Sequence, residues 1–175
     1  EGHPEIQRFI GFDQDPTALA IAKENLHKFS DKLLLINRNF SDIATYLEEE
    51  KISGVEGIFL DIGVSSMQVD QAQKGFSFSQ EGPLDMRMDP STALTAEEIV
   101  NTWSERELGT LIKELGEDRY WKALARDIVR ARREKRIATT KELADIIIQT
   151  LGGRGKQKIH PATRVFQALR IRVNN

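Results

Sequence analysis

Residues 56–70 read EGIFLDIGVSSMQVD. Ile58, Phe59 and Leu60 form a short apolar run of the kind that fills a buried parallel strand, and the run stops at Asp61. Gly63, Ser65 and Ser66 follow, so small and hydroxyl-bearing residues come directly after the carboxylate. In open α/β sheets ligands sit at the carboxyl edge of the strands, which makes Asp61 a candidate ligand contact. Working outward, two more runs have the same form. FIGF (9–12) ends at Asp13, and LLLI (33–36) is followed closely by Asn39, Phe40 and Ser41. Between these runs, DPTALAIAKENLHKF predicts a helix. Asp15 is placed to cap it, Pro16 suits its first position, and Leu19, Ala22, Leu26 and Phe29 share one face. Residues 41–50 predict a second helix. Strand, helix, strand, helix, strand implies an α/β fold with parallel pairing and right-handed crossovers.

Beyond the opening stretch the pattern changes. Residues 75–90 (GFSFSQEGPLDMRMDP) lack a period and predict an ordered loop. Helical signals alone follow. Thr95 with Glu98, and Ser104 with Glu107, have capping-box spacing. WKALARDIVRARREK predicts a long amphipathic helix with Leu124, Ile128 and Ala131 on one side, and Thr140 is placed to cap KELADIIIQTL. GGRGKQK reads as a basic loop, and HPATRVFQALRIRVNN as a further helix. The expected organisation is a partial α/β domain over 1–92, a helical insertion over 93–158, and a return helix over 159–175.

Composition narrows the function classes. The chain has 175 residues and no cysteine, which excludes disulfides, thiolate nucleophiles and thiolate zinc sites. Three scattered histidines offer no metal-ligand set, so no metal site is expected. No apolar run reaches membrane-spanning length, and no signal-peptide pattern is visible. The formal net charge of -2 conceals an uneven distribution. Residues 122–136 carry seven basic side chains (Lys122, Arg126, Arg130, Arg132, Arg133, Lys135, Arg136) against two acidic ones (Asp127, Glu134). Residues 152–175 carry six basic side chains and no acidic one. A polyanionic partner fits that half, and so does a simply solvated helix face.

At a strand end, Asp13 can accept two hydrogen bonds from a ribose diol, a grip shared by dehydrogenases and methyltransferases. Phe40 is placed to stack on an adenine or to fill the core. Asp61 can hold a cofactor's amino-acid end or accept a proton from a substrate amine, because an unpaired buried carboxylate is costly. Ser65 and Ser66 offer small donors beside it, or a helix cap. No GxGxxG-like stretch precedes Asp13, and both ends of the chain read as cut. By these residues alone the reading stops at an adenosine-type cofactor and a basic helical arm.

Three longer motifs carry a resemblance. LDIGVSSMQVD, KGFSFSQEGPLDMRMD and HPATRVFQALRIRVNN, in that order, resemble the MraW/RsmH family of small-subunit rRNA (cytosine-N4)-methyltransferases. The resemblance covers essentially the whole chain. It implies a class I methyltransferase (Rossmann-like) parallel sheet with an inserted all-helical subdomain, using S-adenosylmethionine to methylate a cytosine of 16S-type rRNA. It assigns Asp13, Phe40, Asp61 and Gln68 to the cofactor. Asp61, with Ser65 and Ser66, is the candidate catalytic group. Met67 stands where many members have proline, and the family's Gly-Gly-His cofactor motif is expected upstream of Glu1. The expected partner is small-subunit rRNA or the ribosomal subunit, not a membrane. The setting is the cytoplasm of a bacterium, or a mitochondrion or plastid, with no oligomeric state indicated beyond a homodimer being compatible. The isolated chain is expected to transfer little or no methyl. A nicotinamide-dependent dehydrogenase and a noncatalytic RNA-binding module are the competing readings.

Overall fold

The computed structural model describes residues 5–61, 63, 71–152 and 159–174. The chain divides into two compact units, Glu1–Ile62 and Gly63–Asn175. The division falls ahead of the boundary expected at 92, so the loop over 75–90 packs with the helices.

In the first unit, β1 (Phe9–Phe12) and β2 (Leu33–Ile36) pair in parallel, Phe9 opposite Leu33 and Phe12 opposite Ile36. The crossover is α1 (Pro16–Asn25). Asp15 caps α1 as expected, its Oδ1 accepting from the Thr17 amide at 3.0 Å, and Pro16 takes a first-turn position where no amide is needed. After β2, Asn39 accepts from the Ser41 amide and starts a 3-10 turn, Phe40–Asp42, which leads into α2 (Ile43–Glu49). Tyr46 of α2 is buried and meets Phe12 edge to face, with ring centroids 5.2 Å apart.

The expected third strand is not formed. Residues 57–60 pair with no strand, and Ile58, Phe59 and Leu60 are 64%, 87% and 53% exposed. Apolar character signals a tendency to bury, whereas a strand also requires a neighbouring edge in register to satisfy its amides. The described sheet contains β1 and β2 alone.

The second unit is helical: α3 (Ala96–Thr102), α4 (Glu105–Glu114), α5 (Trp121–Glu134), α6 (Thr140–Leu151) and α7 (Thr163–Val173). Thr95 caps α3 through the Glu98 amide, and Ser104 with Glu107 forms a complete capping box on α4. On α6 the capping residue is Thr139, not Thr140, because Glu142 lies three residues beyond Thr139 and completes the box with it. Thr140 instead is fully buried, its hydroxyl donating to the Gln80 carbonyl and accepting from the Gly82 amide.

Leu108, Ile112, Leu124, Ile128, Leu143, Ile147, Val165 and Leu169 form a shared core across α4 to α7. Leu84 and Met86 of the loop are also fully buried in it. The turn before the loop requires glycine at 75. Its φ is +70°, and a Cβ there would lie 2.1 Å from the Pro83 carbonyl oxygen.

Candidate functional site

The carboxyl ends of β1 and β2 are joined by side-chain amides. Asn37 donates through Nδ2 to the Asp13 carbonyl at 3.1 Å, and Asn39 donates to Gln14 Oε1 at 3.2 Å. The Asp13 amide donates to the Ile36 carbonyl, extending the strand pairing by one step. Asp13 and Phe40 therefore stand on loops leaving the same edge of the parallel pair, where this topology places ligands. Asp13 Oδ1 accepts the Asp15 amide at 2.8 Å, which orients the carboxylate and leaves acceptor capacity on a group with two oxygens. Phe40 is 43% exposed, so it is not a core phenylalanine. The sequence places Asn39 at the strand end without a role and does not single out Gln14 or Asn37; amide residues directly behind two strand ends are the signal that points to them.

Asp61 is exposed and follows the unpaired run. Among the described residues no hydrogen bond or ion pair joins it to the Asp13 edge. Ser65, Ser66 and Gln68 lie outside the described residues, as do 153–158 of the basic loop.

The DMRMD stretch has a fold-building role that its sequence does not announce. Arg87 binds Asp85 through two parallel contacts, Nε to Oδ1 and Nη2 to Oδ2, each 2.8 Å. Its Nη1 also donates to the carbonyls of Pro90 and Thr92 at 2.9 and 2.7 Å. Burial disfavours the charged Asp85 carboxyl, but hydrogen bonds from the Arg87 side chain and amide outweigh it and hold the group below the ordinary carboxylate range. Asn174, at the end of α7, accepts the Met88 amide at 2.7 Å and donates to the Met86 carbonyl at 2.8 Å. The loop is thereby fixed to the last helix, with Met86 held at φ +66°.

The basic residues of 122–136 differ in their partners. Arg126 and Arg130 both reach the buried Asp127, at 3.1 and 3.4 Å. Arg136 binds Glu97 at 2.6 Å, Lys135 binds Glu142, and Arg132 donates to the Val100 carbonyl at 2.8 Å. Burial, then the neighbouring Arg133, pushes Arg132 below its ordinary value. Lys122 and Arg133 have no hydrogen bond or ion pair among the described residues. Much of the arginine-rich helix is thus already engaged within the fold.

The chain thus joins an α/β unit with polar and aromatic residues at its strand ends to a helical unit rich in basic residues. The sequence profile of the MraW methylase family matches residues 1–175, and the chain belongs to that family, a class I methyltransferase family. It is 48% identical over 168 residues to ribosomal RNA small subunit methyltransferase H of Geobacter sp. (strain M21), covering 95% of this chain and 54% of the relative. The protein of the same name from Protochlamydia amoebophila is 50% identical over 174 residues, covering 99% and 55%. That of Methylobacterium nodulans is 48% identical over 169 residues, covering 97% and 50%. The chain spans about half the length of the curated relatives it matches.

Proposed function

We propose that this chain carries cofactor- and RNA-handling parts of an enzyme that transfers a methyl group from S-adenosylmethionine to the exocyclic N4 of a cytosine in small-subunit rRNA. One observation carries the reading: the family match runs through all 175 residues, and relatives named for rRNA methylation align with nearly all of them. The fold supports it by gathering Asp13, Phe40 and the amides of Asn37 and Asn39 at one sheet edge. The bacterial relatives point to a cytoplasmic setting, and no described helix is long and apolar enough to cross a membrane.

These residues suit the cofactor. Asp13 accepts ribose hydroxyls, Phe40 offers an aromatic face to adenine, and Asp61 and Gln68 take the amino-acid end. S-adenosylmethionine, when bound, supplies an electrophilic methyl group on sulfonium. The cytosine N4 lone pair is delocalised into the ring, so N4 is a weak nucleophile. The protein's contribution is to hold N4 in line and to accept one of its protons. Asp61 is the acceptor in this reading, with Ser65 and Ser66 positioning the base, which must be unstacked to enter. In this reading the α/β unit serves the cofactor and helices α3 to α7 serve the RNA, α7 being packed into the helical core instead of returning to the cofactor domain.

The test uses the full-length protein, labelled S-adenosylmethionine and small ribosomal subunits lacking the modification. N4-methylcytosine should appear in the digested rRNA. Asp61→Asn should lower kcat by about 10²-fold or more, the range for a positioned base, and also weaken the hold on the cofactor's amino-acid end. A rise in cofactor Kd with kcat retained would reassign Asp61 to binding alone. Preference for NAD over S-adenosylmethionine in equilibrium dialysis would overturn the methyltransferase reading.

A further inference from the structure

We propose that Trp121 and the cations around it form a docking surface for a single-stranded segment of RNA, an inference that rests on the rRNA reading above. Trp121 opens α5 and is half-buried against α4. The absence of a side chain at Gly109 permits this closeness, since a Cβ there would come within 2.9 Å of Trp121 Cε3. The indole is therefore backed by a helix and held in place. Lys113 Nζ lies 5.7 Å from its ring centroid and Lys122 Nζ 5.2 Å. At the residue preceding Trp121 in the chain, the Arg119 guanidinium lies 4.6 Å from the half-buried ring of Tyr120.

These cations differ from others in the same unit. Arg126, Arg130, Lys135 and Arg136 are matched to carboxylates. Lys113, Arg119 and Lys122 have no carboxylate partner among the described residues and lie instead against aromatic rings. An ammonium above an indole keeps its N–H donors available for a phosphate oxygen. A base arriving at the ring face shifts the ammonium toward that base's own phosphate, so stacking and an ion pair form together. Asp118 turns its charge inward, accepting the Tyr120 amide at 2.7 Å.

The chemistry selects a single strand over a duplex. Stacking on a tryptophan requires an unpaired base, and a helical stem hides its base faces. The charge supports the same choice. Three cations face two exposed carboxylates on the same stretch, Glu114 and Glu117, so the attraction is local and reaches few phosphates. A duplex-binding face would need a broader field.

The experiment uses the full-length protein and a fluorescein-labelled, unstructured oligoribonucleotide of about 12 nucleotides, within the span such surfaces cover. Binding is followed by anisotropy across a salt series. Lys113→Gln with Lys122→Gln should weaken binding about tenfold near 0.1 M salt. It should also reduce the slope of log K against log salt by roughly 1.4, about 0.7 for each phosphate left without its lysine. Trp121→Leu should weaken binding by about fivefold or more, whereas Arg136→Gln should change it less than about twofold. A duplex of equal length should bind more weakly and not respond to Trp121→Leu.

The lysine pair is exposed, so it tests the surface even where Trp121→Leu perturbs packing. Affinity and slope unchanged in the lysine pair would overturn the proposal. So would equal weakening on duplex and single strand with Trp121→Leu. Methyl transfer by the same proteins separates the two readings. RNA binding with the expected dependence but no methyl transfer leaves the surface standing and removes the enzyme reading. Normal methylation with an unresponsive lysine pair removes the surface alone.

Discussion

The described residues from 5 to 61 bury two side chains, Asp15 and Tyr46, whereas the loop and helices of the second unit bury a continuous apolar cluster from Phe76 to Val173. Both regions contain strongly apolar segments, so hydrophobic content does not explain the difference. Secondary-structure type does. A helix satisfies its amides internally and needs only one covered face, so five helices and a loop can close a core among themselves. A parallel strand needs neighbours beside it and layers above and below it. Two paired strands with two short helices leave Phe9, Leu34 and the 58–60 run exposed.

That contrast can be broken by mutation. The largest effect should come from Leu143→Ala, which empties a fully buried site and should cost about 2–5 kcal/mol in urea unfolding followed by circular dichroism. Leu34→Ala, at a residue 39% exposed, should cost less than about 1 kcal/mol. Equal losses at the two sites would remove the distinction. Asn174→Ala should come next. It strips partners from the Met88 amide and the Met86 carbonyl together, an expected cost of about 1–3 kcal/mol confined to the helical unit.

Acid should sharpen the contrast with a smaller effect. Asp85, Glu107 and Glu142 of the second unit all hold their protons less tightly than ordinary carboxyls. A depressed folded-state pKa contributes stability that is present above the unfolded value and lost as pH falls through the folded one. The helical unit should therefore lose stability below the ordinary carboxylate range, and Asp85→Asn should flatten part of that loss. A pH-independent midpoint across that range would contradict the assignment. The smallest effect should be Glu97→Gln, which weakens the exposed pair with Arg136 by less than about 1 kcal/mol in the same urea assay.

The features legible in the sequence were those written locally. β1, β2 and α1 follow from apolar runs, the Asp15 cap and Pro16, all within a few residues of one another. The Asp13 and Phe40 positions follow from strand ends for the same reason. What could not be read depends on distance. Ile58–Leu60 looks like β2 in composition, yet pairing depends on an adjacent edge that no local pattern encodes. The role of Met86 and Met88 requires Asn174, far along the chain. The basic helix disclosed its charge but not which arginines were matched, because Glu97, Glu142 and the Val100 carbonyl come from other elements. The Thr139 cap is the exception: its Glu142 was visible at capping-box spacing, one residue from the threonine expected.

Both tryptophans, Trp103 and Trp121, belong to the helical unit, and Tyr46 is the tyrosine of the other. Emission excited above the tyrosine band therefore observes the helices alone. A melt recorded that way traces one sigmoid for the bundle and is optically blind to the strands, so the sheet's opening needs a reporter of its own.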